Sequence, residues 1–255
     1  MLSSLSYKSA ALGHNTEVCL ILPDDAPAAD VPVLYLLHGM SGCHESWLRK
    51  SRIESYAAER RVAVVMPDGE NSFYLDMKYG KKFFTFVACE LPETVRRVYG
   101  LSGDREKNFI AGLSMGGYGA VRTALMRPES FCAAASLSGC LDIVRTLRDG
   151  GLETVAPAIW GEDWRTCAAG TDSDIFRLLD NFSASSPKPA LYAACGEQDF
   201  LFADNSRFRD YMLTKGKKAG FRFEWEQKPG IHDWNFWDAT IGNAMDFCLS
   251  AGSGN

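Results

Sequence analysis

One serine, one histidine and a handful of aspartates carry the chemistry available to this sequence. The stretch Asn108–Phe109–Ile110–Ala111–Gly112–Leu113–Ser114–Met115–Gly116–Gly117–Tyr118–Gly119–Ala120 reads as a short apolar strand, a tight Gly-x-Ser-x-Gly turn and a helix entered through small residues. A serine on so sharp a turn is held in a strained conformation, and bulk at Gly112 or Gly116 would collide with the adjoining backbone. The same turn leaves the Met115 N–H free at a helix N-terminus, where unpaired donors and the helix dipole favour a developing oxyanion. Ser114 is the candidate nucleophile.

A serine hydroxyl needs a base beside it. Of the four histidines, His232 follows a strand and a Pro229–Gly230 turn and precedes the last helix, which makes it the candidate base. His38 belongs to the turn after a central strand and reads as buried and structural; His44 is placed on the pocket rim; His14 precedes a strand. The base in turn needs a carboxylate to fix its tautomer and stabilise the imidazolium. Asp199 follows the strand Ala190–Gly196 at the sheet's C-terminal edge, where such sites form. Its rivals are Asp204, expected to cap a helix, and Asp233, next to the base. The chain order Ser114, Asp199, His232 is that of α/β-hydrolases. The second oxyanion donor is expected in the loop His38–Gly39–Met40–Ser41–Gly42, from the Met40 backbone N–H, with Ser41 as the alternative.

These groups demand elements to hold them. Glu17–Pro23 reads as a first strand at a sheet edge, Asp24–Asp30 as a surface loop, and Pro32–Leu37 and Val62–Pro67 as strands buried on both faces. Trp47–Arg60 and, despite Pro92, Phe86–Tyr99 read as helices; Cys132–Gly139, Ala190–Gly196 and Phe221–Gln227 are further strands; Asp204–Lys215 and Trp234–Ser250 are helices. Strands alternating with helices predict an α/β-hydrolase fold with a mostly parallel sheet, residues 1–255 forming one domain. Residues 141–189 lack a strong strand and are expected to form a small cap carrying Trp160 and Trp164. The loop Asp68–Lys82 carries Phe73, Tyr74, Met77 and Tyr79, which either line a pocket or cover the sheet. Tyr74 and Trp160 are taken as substrate contacts.

Composition narrows the class. With 46% hydrophobic and 23% charged residues the chain can bury a large core, and a net charge of −5 offers no basic footprint for nucleic acid or an anionic membrane. No stretch approaches the roughly 18 apolar residues of a membrane span, and the N-terminus lacks the pattern of a signal peptide. Eight cysteines show no CxxC pair and no zinc-like spacing, so neither metal nor cofactor is expected. A reduced, cytoplasmic protein with a small-molecule substrate follows, alone or as a homo-oligomer. The competing class is a binding protein on a degenerate hydrolase scaffold, which intact candidates for all three roles disfavour.

The segments His38–Gly42, Gly112–Ala120 and Gly230–Ile231–His232–Asp233–Trp234–Asn235–Phe236–Trp237 resemble the esterase D family, most closely its bacterial tributyrin-esterase branch, over about Val18 to Cys248. The resemblance implies hydrolysis of short-chain acyl esters, in some members removal of acetyl or feruloyl groups from plant carbohydrates. It also implies a triad at Ser114, Asp199 and His232. S-formylglutathione hydrolases resemble the same family and are the alternative activity. Cys43 stands where relatives often carry Asn.

Overall fold

In the computed structural model, residues 1–24 and 26–253 are described; Asp25, inside the expected Asp24–Asp30 loop, and the last two residues lie outside them. Among the described residues the strands are β1 (Leu2–Lys8), β2 (Asn15–Ile21), β3 (Val33–Leu37), β4 (Ala63–Pro67), β5 (Asn108–Leu113), β6 (Ala133–Leu137), β7 (Ala190–Gly196) and β8 (Phe223–Lys228). They form one sheet in the order β1-β2-β4-β3-β5-β6-β7-β8. β1 and β2 pair antiparallel, as do β2 and β4; every later pairing is parallel.

The helices are α1 (Ser46–Lys50), α2 (Ile53–Arg60), α3 (Phe83–Thr85), α4 (Leu91–Tyr99), α5 (Met115–Met126), α6 (Ile143–Arg148), α7 (Ala156–Trp160), α8 (Trp164–Cys167), α9 (Ile175–Asp180), α10 (Phe202–Tyr211) and α11 (Trp234–Gly252). They cover both faces of the sheet. In β3, Val33, Tyr35 and Leu37 enter one core layer, with residues of α4, α5 and the cap helices, while Leu34 and Leu36 enter the other with α1, α2 and α11. A strand with both faces buried has no polar side to show, which is why β3 reads as an unbroken apolar run. The chain passes from β3 to β4 on one side and returns to β5 on the other. The loops after β3 and β5 therefore diverge at a topological switch point, where such sheets open a crevice.

Two local expectations are corrected and one is refined. The edge strand is β1, not the Glu17–Pro23 stretch, which lies one place inward. β1 alternates, with Ser3, Leu5 and Tyr7 half-buried and Leu2, Ser4, Ser6 and Lys8 exposed, and its pairing with β2 supplies the hydrogen bonds that its serine-rich sequence does not advertise. The helix expected over Trp47–Arg60 breaks where Ser51 turns extended (φ −144°, ψ 172°), its hydroxyl donating to the Trp47 carbonyl at 2.6 Å. Before α4 the helix widens to a π turn over Phe86–Glu90, which absorbs the register around Pro92. No helix among the described residues is long and apolar enough to cross a membrane.

Candidate active site

Ser114 stands between β5 and α5 at φ 52°, ψ −117°, a strained conformation for a residue with a β-carbon. The strain is held by backbone bonds: the Ser114 N–H donates to Leu137 O at 2.9 Å, and the Ser114 carbonyl accepts from Tyr118 and Cys140 N–H at 3.1 and 3.3 Å. The glycines are there for space. A β-carbon at Gly112 would lie 2.5 Å from the Gly116 carbonyl carbon and oxygen, and one at Gly116 would lie 2.6 Å from the carbonyl oxygens of both Leu37 and His38.

β7 and β8 run in register to Cys195↔Gln227 and Gly196↔Lys228, and the loops that leave them stay paired. Glu197 N–H donates to Lys228 O at 3.1 Å, Gln198 N–H to Gly230 O at 3.0 Å, and Gly230 N–H returns to Gln198 Oε1 at 2.9 Å. This brings Asp199 under His232. His232 Nδ1 lies 2.9 and 3.0 Å from the two Asp199 carboxylate oxygens, and His232 Nε2 lies 2.9 Å from Ser114 Oγ. The Asp199 side chain is wholly buried, and Oδ1 also accepts the Leu201 N–H at 2.8 Å. With a carboxylate on Nδ1, the proton sits there and the Nε2 lone pair faces the serine hydroxyl. Trp237 closes the imidazole's far side, edge-on at 5.0 Å and 90°, and is itself braced by Trp234 and then Trp47.

The other two aspartates are otherwise engaged. Asp233 caps α11, accepting the Phe236 N–H at 3.1 Å. Asp204 is no cap, contrary to expectation: it lies inside the first turn of α10 and accepts from Arg207 at 2.6 Å and from Thr146 at 3.3 Å, joining α10 to the cap.

The loop after β3 is braced from below. Gly69 N–H donates to His38 Nε2 at 2.8 Å, which leaves the His38 proton on Nδ1, donated to Gly39 O at 2.7 Å. The Ser41 N–H is taken by Asn71 Oδ1 at 2.8 Å. Among the described residues the backbone N–H groups of Met40 and Met115 have no acceptor, and a β-carbon on Gly39 would stand 3.3 Å from Ser114 Cβ. Of the two donors considered in this loop, Met40 is the free one.

Tyr74 is corrected from pocket wall to support. It is fully buried, its hydroxyl donates to His38 O at 2.9 Å, and burial pushes its phenol well above the ordinary range. Phe73 is buried too, against Tyr118 and Trp160 at 5.8 and 5.7 Å, so these two aromatics cover the sheet. Trp160 is half-buried, with its indole N–H on Ser173 Oγ at 3.1 Å. His44 is drawn from the expected rim toward Glu17 and Asp68, at 3.3 and 3.6 Å. Cys43 turns back onto Ser46, whose Oγ accepts the Cys43 N–H at 2.8 Å.

Sequence reasoning passed over three participants. Asn71 and Gln198 tie loops through backbone bonds that no spacing announces. Phe200, 75% exposed, lies with its ring 4.5 Å from that of His232; a phenylalanine next to the candidate aspartate was the signal.

The Esterase family profile ("Putative esterase") matches residues 9–247. An acetyl esterase of Caldicellulosiruptor saccharolyticus is 33% identical over 95% of this chain and 96% of its own length. Two solved Staphylococcus aureus proteins superpose along 98% of both chains at 33% identity: the fluorophosphonate-binding serine hydrolase F with substrate bound, at a TM-score of 0.88, and an S-formylglutathione hydrolase apoenzyme, at 0.86. Both share the α/β-hydrolase fold.

Proposed function

The chain belongs to the Esterase family, and from that membership we propose a serine carboxylesterase that cleaves short-chain acyl esters through an acyl-enzyme on Ser114. The observation that carries the mechanism is the continuous line Asp199–His232–Ser114, with contacts of 2.9 to 3.0 Å. His232 Nε2 takes the Ser114 proton as Oγ attacks the ester carbonyl carbon. The carbonyl oxygen, now anionic, is received by the Met40 and Met115 N–H groups. The imidazolium, stabilised by Asp199, gives its proton to the departing alcohol. A water molecule then loses a proton to His232, attacks the acyl carbon and frees the acid, and the proton returns to Ser114.

Residues 1–255 serve in this reading as one domain, with the 141–189 insertion as a cap and Trp160 as its contact to the acyl group. The acetyl esterase relative supports small acyl groups. Eight free cysteines suit a reducing, cytoplasmic setting. The related S-formylglutathione hydrolase favours a second reading, hydrolysis of that thioester, and a competition between it and tributyrin separates the two.

Labelling by a fluorophosphonate probe, with the modified peptide located by mass spectrometry, tests the nucleophile. Wild-type protein should carry the label on Ser114, and Ser114→Ala should take none while retaining roughly 10³-fold catalysis over water. A label on another serine overturns the assignment.

A further inference from the structure

Eight large hydrophobic side chains stand exposed among the described residues, and three of them lie on the loops that carry the candidate triad and oxyanion donor: Met40 two residues after His38, Phe200 next to Asp199 and Ile231 next to His232. Scattered exposed apolar side chains need no explanation; a group gathered about a reacting centre marks a surface that something covers. Phe200 is the clearest case. Its neighbours Asp199 and Leu201 are 5% and 8% exposed, so the loop packs both inward and turns only the phenyl ring out, to 75% exposure. The ring does no packing that the fold requires, yet lies 4.5 Å from the His232 imidazole at 45°.

Resting on the acyl-enzyme reading above, the position has a chemical meaning. To protonate the leaving oxygen, His232 Nε2 must come within about 3 Å of it, so the alcohol's carbon skeleton begins beside the imidazole and next to whatever flanks it. Phe200 flanks it at 4.5 Å, with the exposed Ile231 next to it in the chain, while Trp237 closes the far side; the acyl group departs from the carbonyl carbon in the other direction. The charge of the two loops sharpens the choice. Glu197–Leu201 and Pro229–Trp234 carry Glu197, Asp199 and Asp233 and no lysine or arginine, so an anionic leaving group gains no ion pair from them. We infer that Phe200, with Ile231, is the platform for the alcohol half of the substrate, and that this alcohol is neutral and presents a flat apolar ring face, either aryl or the C–H face of a pyranose.

The test holds the acyl group constant. The kcat/KM values for benzyl acetate, methyl 2-O-acetyl-β-xylopyranoside, ethyl acetate, S-acetylglutathione and S-acetyl-N-acetylcysteamine are measured on wild type, Phe200→Ala and Phe200→Trp. Each protein is labelled with fluorophosphonate in parallel. Phe200→Ala should lower the ratio of a ring ester to ethyl acetate about tenfold, and Phe200→Trp should preserve it. The exposed site makes melting temperature a fair check that both variants fold. A fall with the benzyl ester or with the xyloside supports the platform and says which ring it takes. Ratios unmoved for both, in proteins that label normally, overturn the platform and leave the nucleophile standing. Wild type that prefers S-acetylglutathione to S-acetyl-N-acetylcysteamine, a neutral thioester of like reactivity, overturns the neutral alcohol. Wild type that takes no label overturns the acyl-enzyme reading, and the platform with it.

Discussion

Gly116 and His38 meet backbone to backbone: a β-carbon at Gly116 would come within 2.6 Å of the His38 carbonyl oxygen and of the Leu37 carbonyl oxygen beside it. The first turn of α5 and the loop bearing Met40 are thus fitted against each other with no room for a methyl group. Gly116→Ala must push the two apart, at a cost of roughly 1–3 kcal/mol in stability. Because misplacement by about 1 Å costs about a hundredfold in rate, kcat should fall by that order while Ser114 remains reactive. Melting temperature together with ester turnover checks this. Normal kcat in the variant would mean that the loop is not a catalytic component.

The acyl side can be sized by turnover. On the proposed reading, in which Trp160 contacts the acyl group, a p-nitrophenyl ester series should peak between about two and six acyl carbons and then decline. Efficiency that keeps climbing to long chains would show an open site.

A proton-linked prediction comes from Asp68. Burial alone would raise its carboxyl, but the Glu70 N–H, donating at 2.9 Å, and His44 beside it outweigh that and hold it at about 2, below the ordinary 3.8. A carboxylate depressed on folding contributes stability that is complete above its unfolded value and disappears as pH falls through its folded one. The melting-temperature gap between wild type and Asp68→Asn should therefore be full above about pH 4 and close toward pH 2. A gap independent of pH would refute the account.

What the sequence discloses follows from what each residue needs locally. β3 and β5 are legible because buried parallel strands must be apolar on both faces, and the elbow because its glycines answer a backbone collision. β1 escapes because its inward face is only Ser3, Leu5 and Tyr7, and its stability comes from pairing with β2. Tyr74 is misread because an aromatic in a loop looks the same whether it lines a cleft or, as here, anchors the His38 carbonyl. The role of Asp204 depends on Thr146 and Arg207, the first 58 positions away in the chain, and no local pattern encodes that. Phe200 shows in the sequence only as a neighbour of Asp199; its outward turn is a property of the loop.

The choice among carboxylates can be settled by amides. Asparagine keeps the shape of aspartate but can stabilise the wrong imidazole tautomer, a change that in a serine protease costs about 10⁴-fold in turnover. Asp199 touches His232 Nδ1 through both oxygens of a wholly buried side chain, so Asp199→Asn should approach that loss. The variant should stay folded, because the Asn side-chain oxygen can still accept the Leu201 N–H. Asp233→Asn should be nearly silent, since asparagine caps a helix about as well as aspartate and the Phe236 N–H keeps its acceptor. Asp204→Asn loses the charge that holds Arg207 between α10 and the cap, so it should lower melting temperature modestly and leave turnover within a few-fold. Turnover and melting temperature for the three variants decide the matter: near-normal activity in Asp199→Asn, with collapse in either of the others, would place the wrong carboxylate behind His232.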